Sequence, residues 1–149
     1  MRALASSGAG FLLAVLWFDL MFDVQVLRGG AGAERGASVA SISAYYRRVT
    51  TEARPMNRVV ALAMAVTLGT IVAQLARGAG PTWAWSVSFA LAAAPMALAA
   101  AHTVPSAVRL GSGVDPPERQ WALARSILRD HVVCLGCIAG LLGVLLGGS

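Results

Sequence analysis

The 149-residue chain contains no lysine, and only 13% of its residues are charged, against about 25% in an ordinary soluble domain. So little charge excludes a chain that keeps most of its surface in water. Cysteine is nearly absent. Cys134 and Cys137 stand together near the end, which excludes the disulfide framework of a small secreted protein. There is no nucleic-acid-binding motif, so the net charge of +5 does not argue for RNA or DNA. The two lone histidines, His102 and His131, spell no metal or haem motif, and no motif requires a cofactor.

What is there instead is apolar. Hydrophobic residues make up 57% of the chain, and the mean hydropathy is +0.68. They gather in four runs that are apolar all round rather than on one face, the pattern of membrane spans rather than of a soluble bundle. The first run is not expected to be a secretory signal, because Asp19 and Asp23 interrupt it and no small-residue cleavage site follows. The expected fold is an all-α membrane protein, a four-transmembrane-helix bundle in a single domain over 1–149. The spans fall at about 8–27, 56–76, 82–104 and 127–147. A short amphipathic helix at about 38–53, capped by Ser38, is expected in the membrane interface between spans one and two. Val39, Ile42, Tyr45, Tyr46 and Val49 mark its apolar side. Residues 28–37 and 105–117 read as loops.

Smaller signals place the helices against one another. Ala61, Ala65 and Gly69 form a small-residue stripe that would let a neighbour approach closely. Gly136 and Gly140 make a second such pair. Trp83 and Trp85 open span three, where an aromatic belt would hold them. Pro95 frees a carbonyl in the middle of that span.

Every basic residue is Arg, which with the abundant Ala and Gly suggests a GC-rich bacterial genome and an inner-membrane location. Ten Arg flank loops one and three, and only Arg2 and Arg77 lie on the other side. The positive-inside rule then puts loops one and three in the cytoplasm and both termini outside.

Ionisable groups inside the spans carry the functional signal, since an acidic residue at mid-membrane costs about 2.5–3.5 kcal/mol on insertion scales. Asp19 and Asp23 lie four residues apart, on one helix face. The assumed topology brings them to the level of His102 in span three and of Arg129, Asp130 and His131 in span four. One reading is a salt-bridged staple, with Asp19 or Asp23 on Arg129 or Arg125 and Asp130 on Arg109. The other is a polar site. In that site His131 is the acid or base, Asp19 and Asp23 tune it, and Arg129 stabilises a developing oxyanion. His102, Trp17, Asp130 and Asn57 would contact the substrate. Asp19, Asp23, His102 and His131 could alternatively ligate a metal, or the two histidines a haem. The Cys134/Cys137 spacing puts both thiols on one helix face, for packing or for redox work. Tyr45-Tyr46-Arg47-Arg48 reads as an interfacial anchor.

Three segments carry a family likeness: Arg54-Pro-Met-Asn57, Ala101-His-Thr-Val-Pro-Ser-Ala-Val-Arg-Leu followed by Asp115-Pro, and Ala124-Arg-Ser-Ile-Leu-Arg-Asp-His-Val-Val. Their layout resembles the anthrone-oxygenase-like four-helix membrane proteins, with His131 at the position of that family's helix-four histidine. Ile127 stands where the family has Trp, Cys134 where it has Arg, and Ala107 or Arg109 where it has Asn. The resemblance implies a four-helix membrane protein from a group containing oxygenases of polycyclic aromatics, and it implies no cofactor. Three functions follow as expectations. The first is an oxidoreductase- or oxygenase-like membrane enzyme, or a binder, for a lipophilic quinone-like or polycyclic aromatic molecule. The second is a proton-coupled small transporter working as a homo-oligomer. The third is an accessory or structural membrane subunit. In each the lipid bilayer is the surrounding partner.

Overall fold

The computed structural model describes residues 1–28, 32–52, 54–78 and 80–147. Helix α1 (Arg2–Asp23) runs past Val24 into a short turn, α2 (Gln25–Arg28). Helix α3 (Ala33–Arg47) ends in a π-helical segment, π1 (Arg48–Glu52), and α4 (Arg54–Ala76) follows. Helix α5 (Thr82–Leu98) passes through a second π segment, π2 (Ala99–Thr103), into α6 (Val104–Ser112). Helix α7 (Pro117–Gly147) closes the chain. Among the described residues four stretches are long and apolar enough to cross a membrane: Arg2–Arg28, Pro55–Ala76, Thr82–Ser112 and Pro117–Gly147. The protein is an all-α membrane bundle. Each long helix packs on its sequence neighbours, α1 on α4, α4 on α5, α5 on α7, and α7 back on α1.

One end of the bundle is packed mainly with apolar side chains. Ala5, Ala9 and Leu12 repeat at helical spacing on α1 and meet Ile71, Ala92, Ile138 and Leu141. The closest approach is at Gly8, where an added Cβ would collide with the Thr67 hydroxyl and meet the Ala63 carbonyl. A small residue thus joins α1 to α4, as in other membrane helix pairs. The expected stripe on α4 is not the contact. Ala61, Ala65 and Gly69 are exposed, and Gly69 faces open space. Gly140 does pack, on Leu91, whereas Gly136 faces open space. Trp85 departs from the aromatic-belt expectation. It is buried in the core with the Arg2 guanidinium 5.5 Å above its ring, and only Trp83 is exposed.

At the other end α3 lies across α6 and α7. Val26, Ile42, Tyr46, Leu110, Trp121 and Ile127 form a second core there. The backbones of α3 and α6 nearly touch, for a Cβ on Gly111 would stand 2.7 Å from the Arg47 nitrogen. Ser43 donates to the Leu110 carbonyl at 2.7 Å, and the Arg35 guanidinium sits 4.5 Å over Trp121. The interfacial helix is therefore a packed layer of the protein. It also starts earlier than expected, at Ala33, with Glu34 in the first turn, where the helix dipole favours an acid. Ser38 is consequently inside the helix and caps nothing. Of the expected loop at 28–37, residues 29–31 lie outside the described residues, and 33–37 are helical.

The loop expected at 105–117 is also mostly helix. Pro105 falls in the first turn of α6, directly after π2. The hydrogen-bond ladder changes register there, so a missing N–H is tolerated. The helix stops instead at Gly113, whose φ of +67° suits glycine and whose N–H returns to the Leu110 carbonyl at 3.1 Å.

Candidate functional site

Asp130 and His131 are consecutive on α7, so their side chains leave the helix about 100° apart. Each finds a carboxylate–imidazole partner on a different helix. His131 turns inward. Its Nδ1 lies 2.6 Å from Oδ2 of Asp23 on α1, and Asp23 is fully buried. The second Asp23 oxygen accepts the Tyr46 hydroxyl at 2.6 Å. With Asp23 ionised, Nδ1 carries the proton and donates. This fixes the tautomer and leaves Nε2 as the free basic nitrogen. Nε2 lies 4.0 Å from Oδ2 of Asp19, one turn earlier on α1. Asp19 accepts the Tyr45 hydroxyl at 2.6 Å.

Both tyrosines come from α3, the layer that covers this end of the bundle. Tyr45 stacks on Phe22, with ring centroids 4.0 Å apart and planes 9° from parallel. Burial, and then the neighbouring carboxylates, push both phenols far above their ordinary range. Each tyrosine therefore stays protonated and acts only as a hydrogen-bond donor to its aspartate.

Asp19, Tyr45, Tyr46 and His131 form one wall of a cavity of about 440 Å³, within the size range of small-molecule sites. The other walls are mostly apolar. They include Leu12 and Leu16 of α1, Met64 of α4, Met96 of α5 and Ile138 of α7. Cys134, one turn along α7 from His131, also faces the cavity, and its thiol donates to the Pro95 carbonyl at 3.8 Å. Asn57 stands at the cavity rim and donates to the Thr50 carbonyl at 3.3 Å.

Asp130 turns the other way. Its Oδ2 lies 2.5 Å from Nδ1 of His102 in π2 and accepts the Thr103 hydroxyl at 3.1 Å. Oδ1 is 3.6 Å from Nη2 of Arg129. His102 is 45% exposed on the flank of the bundle, and neither it nor Asp130 lines the cavity. The chain matches no family model, no curated protein and no solved structure.

The residues expected to form one cluster thus form two. Asp19, Asp23 and His131 come together at the cavity, with Asn57 at its rim. His102, Arg129 and Asp130 form a separate group. Arg129 is exposed and lies apart from the oxyanion position expected of it. Trp17 is 62% exposed and points outward, away from any substrate wall. The four-residue metal set is divided between the two groups. Among the described residues no three His, Cys, Asp or Glu are placed to hold a metal ion. The expected ion pairs differ as well. Arg109 bonds Asp115 through Nε and Nη2 at 2.7 and 2.8 Å, not Asp130, and Arg125 is exposed on the surface. Cys134 and Cys137 are both free thiols.

Tyr45 and Tyr46 are the residues that sequence reasoning assigned to the wrong task. They serve the two aspartates rather than the membrane interface. The signal was present in part. A hydroxyl-bearing ring on the apolar side of a helix needs a polar partner when buried, and two carboxylates in the preceding span were waiting for donors.

Proposed function

We propose that the protein is a bacterial inner-membrane enzyme or binder for a lipophilic, quinone-like or polycyclic aromatic molecule, with His131 as general base. One observation carries the reading. The Nδ1 of His131 is held at 2.6 Å by the buried Asp23, while the ring borders an apolar cavity of about 440 Å³. A phenolic O–H or an acidic C–H beside a ring carbonyl, placed in the cavity, would give its proton to Nε2. Asp23 stabilises the imidazolium that results, and Asp19, 4.0 Å from Nε2, adds a second negative charge. Asp23 and Tyr46 act as positioning residues behind the ring.

The resemblance to anthrone-oxygenase-like proteins supports a fused-ring substrate with an acidic C–H. Proton removal from such a molecule leaves an enolate spread over the rings, an electron-rich species open to attack by dioxygen. The excess of Arg at the α3 end supports a cytoplasmic placement of that end, with both termini outside.

A proton-coupled carrier working as a homo-oligomer is a second reading. It is favoured by the fact that Asp19 borders the cavity while Asp23 does not. Two measurements separate the readings. The detergent-purified protein is melted in the presence of a panel of quinones and polycyclic aromatics. A ligand that binds the folded state raises the melting temperature by an amount that grows with the logarithm of its concentration above its Kd. At least one panel member should stabilise the wild type and leave His131→Ala unmoved. No response from any member, or an equal response in the variant, overturns the enzyme reading. Uptake into proteoliposomes lost in Asp19→Asn would favour the carrier.

A further inference from the structure

Among the described residues, the exposed part of the cavity wall lies along one side, and its position determines which molecules reach His131. Every exposed residue that borders the cavity belongs to one of two facing elements. Met56, Asn57 and Ala61 lie on α4, and Ala100, Val104 and Val108 lie on π2 and α6. Met56, Val104 and Val108 are 51%, 54% and 49% exposed. Among the described residues, helix α4 packs against α5, but its backbone makes no close approach to π2 or α6, which continue α5 towards the α3 end. A gap therefore opens along the flank of the bundle. It is not open at the end, because π1 packs on both α4 and α6 and closes the cavity there, with Val49 and Thr50 facing inward.

The rim is apolar except for Asn57, and it lies within the membrane-crossing stretches Pro55–Ala76 and Thr82–Ser112. None of the polar groups Asp19, Tyr45, Tyr46 and His131 is among the exposed rim residues. We infer that the cavity is filled sideways from the bilayer, through the gap between α4 and the π2–α6 stretch. The ligand it takes is a membrane-dissolved ring molecule that enters with a hydroxyl or carbonyl edge leading. This rests on reading the cavity as a ligand site. It adds the route and the orientation, and it makes Ala61 and Val104 the residues that set the width of the opening.

Cys134 at the inner wall provides the test. In liposomes, the full chain carrying Cys137→Ser has one thiol, and that thiol faces the cavity. N-(1-pyrenyl)maleimide dissolves in the bilayer, whereas a sulfonated maleimide stays in water. The pyrenyl reagent should label Cys134 more than about tenfold faster, because partitioning of its apolar surface concentrates it at the gap. Ala61→Trp and Val104→Trp should each slow pyrenyl labelling by about tenfold by filling the rim. Leu62→Trp, at a position 63% exposed and about 100° round the same helix from Ala61, should leave the rate unchanged. Each variant is first shown to melt like its parent. Leu16→Cys with both native cysteines replaced by Ser supplies a second thiol on the cavity wall, so that a sluggish Cys134 does not decide the result.

Equal labelling by the two reagents, or rim variants that label at the parental rate, overturns the lateral route. So does protection of both thiols from the pyrenyl reagent, which would mean that the cavity is filled by an acyl chain or by a second copy of the protein. Labelling requires no catalysis and should survive His131→Ala. Failure of the route and failure of the enzyme reading are therefore distinct results.

Discussion

Two carboxylate–imidazole pairs stand side by side in this bundle, built from adjacent residues of α7, and they differ in what surrounds them. The Asp23–His131 pair is buried on both sides, and the hydroxyl of Tyr46 completes it. The Asp130–His102 pair buries its aspartate but leaves its histidine 45% exposed. Only the first borders the cavity. The same two groups thus serve different ends. Where both partners are buried, each depends on the other, and the imidazole is held in one orientation for use. Where the imidazole is half exposed, the pair gives a buried acid one more hydrogen-bond partner and little more. The lesson is that an ionisable residue in a span is not a functional residue by its presence alone. What it faces decides.

The largest effect should come from Asp23→Ala. Removing this carboxylate leaves the Tyr46 hydroxyl and the His131 Nδ1 without their acceptor, both away from solvent. Breaking a buried pair in this way typically costs about 3–5 kcal/mol. Reversible unfolding in mixed detergent should show the loss. Asp130→Ala should cost less, about 1–3 kcal/mol, because only the Thr103 hydroxyl loses a buried acceptor, with the Leu98 carbonyl still 3.5 Å away, and His102 can turn outward. If the two variants lose equal stability, the contrast between inner and outer pair is wrong.

Tyr46→Phe should cost about 1.5–3 kcal/mol, the value of one buried hydrogen bond to a charged group, and Tyr45→Phe about 1 kcal/mol, since Tyr45 is only part-buried. Both can be ranked in the same unfolding assay. Tyr46→Phe should also weaken the ligand-induced rise in melting temperature, as the Asp23 carboxylate gains freedom. A Tyr46→Phe protein as stable and as responsive as wild type would remove α3 from the site.

How much of this was legible in the chain depends on the kind of information. The four spans were, because an apolar run of about 20 residues has few other uses. So was the Asp19/Asp23 face, because spacing by four is a local property of a helix. Two errors were avoidable on the same ground. Trp17 is two residues from Asp19, and Arg129 is two residues from His131. Residues so spaced point about 200° apart, so neither could share a wall with its neighbour. The stripe Ala61, Ala65 and Gly69 was of another kind. Its spacing correctly put the three on one face, but a helix that is apolar all round carries no pattern that says which face turns inward. The tyrosines were hidden more deeply still. Their partners lie 26 and 23 residues away in sequence, and only the fold of α3 back over α1 brings them together.

The smallest effect, and the one that sharpens the comparison most, is expected at His102. His102→Ala removes an imidazole that is half exposed and leaves Asp130 with Thr103 at 3.1 Å and Arg129 at 3.6 Å. With two partners retained, and with much of the lost contact screened at the surface, stability should fall by no more than about 0.5–1 kcal/mol. The ligand-induced shift should be that of wild type, because His102 does not border the cavity. His131→Ala removes the same side chain from the neighbouring pair and should abolish that shift. The two histidine variants therefore form an internal control, with the same chemistry deleted at a similar depth and opposite outcomes expected. If His102→Ala abolishes the ligand response while His131→Ala keeps it, the working pair is the outer one. The ligand would then sit on the flank of π2, and the cavity behind Asp19 would be a packing defect.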